Sequence, residues 1–487
     1  MRRVIGALLM VALLASCAAP AWAQSRPNFL FIVTDDQAVE SFKHMPFLEG
    51  MRRDAVTFHQ YFHTFALCCP SRTSILTGMY PHNHGVLGNK GPEGGWPGFD
   101  SGGLENYTWA LALKDAGYDT AMLGKFLNGY KNTLKIPLGW THWFAAYQQT
   151  FNNYEMNDNG AVAFFGAGDS NYSTNVLSDR ADQVIRNAAT NGRPFAVFLT
   201  PLCPHYPATP ARKYLGQFAN EPFVIKPNFN EADVSDKPLW VQRKLPLTAE
   251  QQAEIAAYWR KTLECGLSTD DAIKRLWNTL SGTGQLDNTY IFLTTDNGYM
   301  FGEHRIPKEK NNPYLSSIRS RLYVFGPGIV AGNRPSIIAN IDIAPTILEL
   351  AGQSIPNWVD GRSVVPLLTN KDASWRNSLF IQGWPARDSE GGALATDGQY
   401  FAALVARTGV SRLYTYHRLD TTETEFYDID ADPYQLNNAV SLLAPTSVTA
   451  IEARMNALAA CAGDACRATE NMPAPNAVRT KAPIGKR

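Results

Sequence analysis

The residues best equipped for chemistry are Cys68-Cys69-Pro70-Ser71-Arg72, a polar turn leading into the helix-like stretch Thr73-Ser74-Ile75-Leu76-Thr77-Gly78. The ordinary readings fit poorly. Adjacent cysteines rarely bridge each other, and no CxxC or His-Cys cluster supplies the rest of a soft-metal site. Two further clusters hold hard donors: Asp35-Asp36 and Asp296-Asn297 offer three carboxylates and one amide, each pair following an apolar run. All-oxygen donors suit Ca²⁺ or Mg²⁺ rather than zinc. Taken alone, an Asp-Asp pair there is more often a turn or a helix cap. His205, within Pro204-His205-Tyr206-Pro207, can move a proton but in isolation reads as a packed or capping residue. Lys125, Lys310 and its neighbour Lys308 are ordinarily solvated charges.

These residues need elements to hold them. Residues 28–34 form a continuous apolar run that ends at Asp35-Asp36, the pattern of a strand buried on both faces. Residues 194–200 and 289–295 repeat it, ending at Cys203-Pro204-His205 and Asp296-Asn297-Gly298. Helix-like segments lie between them, around residues 107–116 and 251–282. The rhythm predicts an α/β fold with a large, doubly wound, mostly parallel sheet flanked by helices. In such sheets ligands collect beyond the carboxyl ends of the strands, where the polar tips fall.

From about Ser374 the character changes to short strand-like pieces, 378–382, 400–405 and 412–417, followed by a helix near 448–460. This predicts a smaller antiparallel sheet with a covering helix. The expected division is a signal peptide over 1–23, a catalytic α/β domain over 24–373, an α+β subdomain over 374–466 and an unstructured tail over 467–487. The polar insertion 220–246 is placed to shape the rim of a site.

Lys and Arg total 44 against 44 acidic residues, so no basic face for nucleic acid is written into the chain. Met1-Arg2-Arg3, the apolar run 4–15 and Ala21-Trp22-Ala23 read as a cleavable export signal. Leu14-Ala15-Ser16-Cys17 carries a second reading, a lipobox that would anchor the protein through Cys17. Either way the mature protein is expected outside the cytosol, periplasmic or secreted, with no transmembrane segment. There Cys461 and Cys466 form the natural local disulfide, and Cys203 and Cys265 are expected to be buried free thiols.

The run Cys68-x-Pro70-Ser71-Arg72, with Leu76-Thr77-Gly78 after three more residues, resembles the sulfatase signature. In that family the first cysteine is oxidised to formylglycine (3-oxoalanine), and only Cys68 stands in that register. The resemblance implies a sulfuric ester hydrolase acting on a sulfated sugar or an aryl sulfate, matured by a formylglycine-generating enzyme. It implies a Ca²⁺ site, or Mg²⁺, at Asp35, Asp36, Asp296, Asn297 and the modified Cys68. It also implies catalytic roles for Arg72, Lys125, His205 and Lys310, the last within a Lys-x-x-x-Tyr pattern ending at Tyr314. One hydroxyl of the hydrated aldehyde would attack sulfur, and His205 would protonate the departing alcohol. His82, His84 and His304 are expected as rim residues that select the substrate.

Pro81-His82-Asn83-His84-Gly85, Gly302-Glu303-His304-Arg305, Asp342-Ile343-Ala344-Pro345-Thr346, Asp360-Gly361-Arg362 and Glu425-Phe426-Tyr427-Asp428 extend the likeness to about Arg467. Gly124-Lys125-Phe126-Leu127-Asn128 points to the glucosamine-6-sulfatase type. Three positions depart from the family pattern: Leu127 for a histidine, which Asn128 could replace; Leu315 for an acid; and Ser320-Arg321 for Val-Pro. The rival readings are a phosphodiesterase or phosphonate monoester hydrolase on the same scaffold, and an inactive glycan-binding homologue.

Overall fold

Strand β1 (Asn28–Thr34) is buried at all seven residues, as its unbroken apolar run requires. Its side chains alternate between two cores: Phe29, Phe31 and Val33 on one face, Leu30 and Ile32 on the other. A computed structural model describes residues 26–384, 400–408, 410–418 and 422–477. The expected signal segment, Cys17 and the last ten residues of the expected tail lie outside these.

Nine further strands join β1 in one mixed sheet: β2 (Val56–Phe62), β3 (Asp119–Gly124), β4 (His142–Ala146), β5 (Tyr154–Asp158), β6 (Ala161–Phe165), β7 (Phe195–Thr200), β8 (Thr289–Thr295), β9 (Arg319–Phe325) and β10 (Gly332–Arg334). Their order is β10-β2-β9-β8-β1-β7-β3-β4-β5-β6, and β11 (Ile338–Ala339) pairs with β2. The central strands β8, β1, β7, β3 and β4 run parallel. Antiparallel neighbours join at β9 on one side and at β5 and β6 on the other.

Helices cover both faces. Ile75 and Leu76 of helix Cys68–Thr77, Leu113 of Trp109–Asp115 and Ile347 of Ile343–Leu350 join the Phe31 core. Val184 and Ile185 of Ser173–Thr190, with Ile273, Leu276 and Leu280 of Ala249–Gly282, join the Ile32 core. Each such side chain contributes about 1.5–3 kcal/mol on burial. The expected doubly wound architecture is the observed one.

Strands β12 (Ser378–Gly383), β13 (Tyr400–Thr408), β14 (Val410–Arg418) and β15 (Thr422–Asp428) form a separate antiparallel sheet in that order. Helix Pro445–Ala459 covers it, packing Ile451, Met455 and Leu458 into the core of Leu379, Ile381 and Leu404.

Two expectations are corrected here. Cys203 and Cys265 are joined in a disulfide, which ties the tip after β7 to the long helix Ala249–Gly282. Their separation of 62 residues gives no local cue. Cys461 and Cys466 pair as expected. The tail does not become irregular at Arg467, because residues Asp464–Asn471 form a helix. Its Glu470 is fully buried and takes Arg376 Nε at 3.0 Å and Arg362 at 2.8 Å.

Arg376 also meets Asp342 through two guanidinium nitrogens, at 2.5 and 2.9 Å. Removing one partner of a buried ion network strands the others without water, at a cost of about 3–5 kcal/mol. Arg376→Ala is therefore expected to lower the thermal midpoint far more than Lys135→Ala, whose pairs with Asp100 and Glu105 are exposed to solvent and contribute about 0–1 kcal/mol. Comparable losses in thermal unfolding would contradict the role assigned to Arg376.

Candidate active site

Strands β1 and β8 are in register from Asn28↔Thr289 to Thr34↔Thr295, so their carboxyl ends finish level. Asp35-Asp36 and Asp296-Asn297 consequently emerge side by side. Asp36 N donates to Asp296 Oδ1 at 3.2 Å, and Asn297 Nδ2 donates to Asp36 Oδ1 at 2.6 Å. Asp36 is held at φ +58°, a left-handed conformation that costs a non-glycine residue energy and is retained where surroundings over-determine it.

Next along the sheet, β3 delivers Lys125. Gly124 has φ +119°, and a Cβ there would lie 2.2 Å from the Thr200 carbonyl oxygen, so only glycine lets β3 and β7 close this tightly. Lys125 N then donates to that carbonyl at 2.9 Å. Its side chain turns to Asp35, with Nζ 2.6 Å from Oδ2.

Helix Cys68–Thr77 starts at Cys68 itself and is buried throughout. Its dipole favours negative charge at that end. Gly78, at φ +75°, closes it. One turn inside, Arg72 donates from Nε to Asp296 Oδ2 (2.9 Å), from a terminal nitrogen to Asp35 Oδ2 (3.1 Å), and to the Lys125 carbonyl (2.6 Å). That guanidinium locks three chain segments together. Cys68 Sγ lies 3.7 Å from Asp35 Oδ1. Lys310 Nζ stands 3.0 Å from the same sulfur and donates to both oxygens of Asp36, at 2.6 and 2.8 Å.

His205 projects from the loop after β7, with Nε2 3.7 Å from Asp36 Oδ2. Its Nδ1 is 2.8 Å from the Tyr206 carbonyl oxygen. A carbonyl can only accept, so Nδ1 carries a proton of its own, and Nε2 is the nitrogen that faces the site, where a second proton is taken up and given away. All nine residues predicted for the site thus meet in one buried cluster, from four neighbouring strand ends, one helix N-terminus and one loop.

Burial alone would raise Asp35, yet Lys125, His205, Arg72 and Lys310 hold its carboxyl far below the usual carboxylate range. Asp296 moves the other way, lifted by burial and by the charge on Asp35. Burial pushes the Cys68 thiol well up, with Lys125 and Lys310 opposing only in part. Burial would lower Lys310, but Asp36 keeps it charged.

The rim expected at three histidines is not there. His84 is buried against Ser74 Oγ (3.1 Å) and the Val86 N–H (3.1 Å). His82 bridges the Cys461 carbonyl (3.1 Å) and Gln382 (2.5 Å). His304 is fully buried, 2.5 Å from Glu231 and stacked on Tyr314 with centroids 4.2 Å apart. Insertion 220–246 supplies Glu231 and Asn228 to His304, so it braces the segment leading to Lys310. Polar side chains from elsewhere in the chain hold all three rings, which lone histidines in a sequence cannot disclose.

Other residues were not singled out from sequence. Asn89 Oδ1 accepts from Cys69 N at 3.0 Å, and Asn340 Nδ2 donates to Ser71 Oγ at 3.0 Å, fixing the turn around Cys68. Asn340 had one signal, its place just before the family-like Asp342 segment; Asn89 had none. Leu127 is buried in the apolar core, and the Asn128 N–H donates to Cys69 Sγ at 3.1 Å. Leu315 is also buried, its N–H donating to Gln435 at 2.8 Å.

Residues 27–353 match the Sulfatase family, and residues 302–460 match the N-sulphoglucosamine sulphohydrolase C-terminal family. The chain is 31% identical to N-acetylglucosamine-6-sulfatase of Capra hircus, covering 91% of this chain and 85% of that protein. It is 32% identical to an arylsulfatase of Volvox carteri, covering 96% and 79% respectively. A solved complex of a protein with its substrate D-glucosamine-2-N,6-O-disulfate shares the fold at a TM-score of 0.68 and 25% identity, over 85% of this chain and 93% of that one. A phosphonate monoester hydrolase from Silicibacter pomeroyi, 22% identical with a TM-score of 0.64 over 87% and 92%, shares the fold alone. With the family matched over most of its length, and relatives that hydrolyse sulfuric esters, the chain belongs to the sulfatase family.

Proposed function

We propose that the protein is exported and releases inorganic sulfate from a sulfated sugar, using formylglycine made from Cys68 and a hard divalent cation beside it. The convergence on position 68 carries this reading: Lys310 at 3.0 Å and Asp35 at 3.7 Å from one sulfur, at a helix N-terminus. The sugar comes from the N-acetylglucosamine-6-sulfatase relatives and the substrate-bound neighbour.

The donor set fits a cation. Carboxylate oxygens of Asp35, Asp36 and Asp296 lie within 4.8 Å of one another, and Asn297 Oδ1 is buried without a hydrogen-bond partner. Those three residues and Asn297 would hold Ca²⁺ or Mg²⁺ together with the modified residue 68. Three carboxylates face three cations, Arg72, Lys125 and Lys310, so a divalent ion adds the net positive charge that an anionic ester requires. When bound, it supplies Lewis-acid charge next to position 68.

Formylglycine at position 68, once hydrated, would supply a nucleophilic hydroxyl for sulfur and a second hydroxyl that allows sulfate release without a separate water attack. The chain's other residues do the rest. Lys125 and Lys310 hold the sulfate oxygens, where charge develops in the transition state and preorganised cations contribute most. Arg72 fixes Asp35 and Asp296 relative to the turn. His205 gives its Nε2 proton to the leaving alcohol. Because Cys68 is fully buried, a maturation enzyme reaches it only before the chain folds.

Two disulfides suit an oxidising compartment, in line with the signal-like residues 1–23, either cleaved or anchored at Cys17. No helix among the described residues is long and apolar enough to cross a membrane. On this reading residues 24–373 are the catalytic domain and 374–466 a smaller companion.

Elemental analysis is expected to find about one Ca²⁺ or Mg²⁺ per active chain. Chelation is expected to remove activity, which added Ca²⁺ restores, and Asp296→Ala to lose both metal and turnover. Stoichiometric zinc, whose ligands would be Asp35, Cys68 and His205, or full activity in Asp296→Ala, would contradict the assignment.

A further inference from the structure

Aromatic rings lead outward from the buried cluster. Tyr299 and Tyr258 are buried, with centroids 6.0 Å apart, and the charges of Asp36 and Lys310 act on both phenols. Tyr206 continues the series, 5.7 Å from Tyr258 and 51% exposed. It directly follows His205, whose Nε2 faces the site. Tyr206 is thus an exposed ring adjoining the residue placed to protonate the departing alcohol. Single exposed aromatics are common, but this one directly follows His205 and packs 5.7 Å from Tyr258.

Lys308 shares the place. Its ammonium is 6.0 Å from the Tyr206 ring centroid and 5.9 Å from that of Tyr258, two residues from Lys310. The two lysines are used differently. Lys310 pairs with Asp36 and faces position 68, while Lys308 has no carboxylate partner among the described residues. Ring faces attract a cation but accept no proton from its three N–H groups, so those donors remain for an incoming anion.

We propose that Tyr206 and Lys308 form a subsite for the departing saccharide, the ring stacking on its apolar face and the ammonium taking a second anionic substituent. The enzyme then prefers saccharide sulfates that carry such a substituent near the ester removed. This deepens the sulfatase reading above and rests on it. Lys308 makes its contact equally in ground and transition states, so its effect belongs in KM.

The test uses the full-length formylglycine-bearing enzyme with N-acetylglucosamine 6-sulfate and glucosamine N,6-disulfate, which differ at one nitrogen as neutral acetyl against anionic sulfo. A small aryl sulfate is the control. Wild type is expected to favour the disulfate in kcat/KM. Lys308→Ala should cut that ratio about tenfold, the scale of one charged hydrogen bond, mostly through KM, and Lys308→Arg should keep it. Tyr206→Ala should raise KM for both sugars more than for the aryl sulfate. Each ratio is read within one preparation, so partial misfolding does not disturb it. An equal ratio in wild type and Lys308→Ala, or no preference in wild type, would overturn the subsite while leaving the sulfatase chemistry intact. So would hydrolysis of the aryl sulfate but of neither sugar. Hydrolysis of no sulfate ester at all would overturn the parent reading and the subsite with it.

Discussion

Cys68→Ala is expected to abolish turnover, by on the order of 10⁴-fold or more, whereas Cys69→Ala keeps activity within about tenfold of wild type. The two thiols are adjacent and both buried, yet they face different surroundings. Cys68 Sγ is met by Lys310 and Asp35. Cys69 Sγ points into the apolar core and accepts a hydrogen bond from the Asn128 main-chain N–H. Its loss removes that bond and a small apolar volume, about 1–2 kcal/mol of stability. Hydrolysis of an aryl sulfate by each purified variant decides the matter. If Cys69→Ala were the inactive one, the register that assigns the nucleophile would be wrong.

The second large effect depends on the leaving group. His205→Ala is expected to slow an aliphatic sugar sulfate by about 10²–10⁴-fold, the range of a positioned general acid. A nitrophenyl sulfate should lose much less, because its leaving group departs without a proton. The Tyr206 carbonyl beside Nδ1 holds the ring so that Nε2 faces Asp36 and the reacting centre. Equal losses on both substrates would mean that His205 positions the sulfate, and Lys310, 3.0 Å from Cys68 Sγ, would become the preferred acid. No loss on either would make His205 structural.

Much of this site was legible because its signals are local. An unbroken apolar run specifies a strand buried on both faces, and the residue following such a strand lies at the sheet's carboxyl edge. That places Asp35 and Asp296, whereas Lys125, which follows β3, came from the family resemblance. The Cys68 register needs only five consecutive residues. What stayed hidden depends on contacts between distant parts of the chain. Cys203 meets Cys265 only because the long helix Ala249–Gly282 returns across the β7 tip. Glu470 is buried only because Arg376 and Arg362 converge on it, which turns a charged, tail-like segment into a helix. His304 looked like a rim residue until Glu231 and Tyr314 enclosed it. The edge strand β6 carries exposed Val162 and Phe164, so its pattern lacked the burial that marks the central strands. Asp342 and Asp360, recognisable in sequence as family-like, prove to be structural anchors. Asp342 pairs with Arg376, and Asp360 accepts from the Tyr80 and Gly463 N–H groups.

The central claim, that Cys68 becomes the catalytic aldehyde, is tested most directly by mass spectrometry of the tryptic peptide 54–72 from protein with measured sulfatase activity. The expected result is formylglycine at position 68 with an intact thiol at Cys69, in a fraction that tracks specific activity across preparations. Fully active protein carrying an unmodified thiol at Cys68 would contradict it.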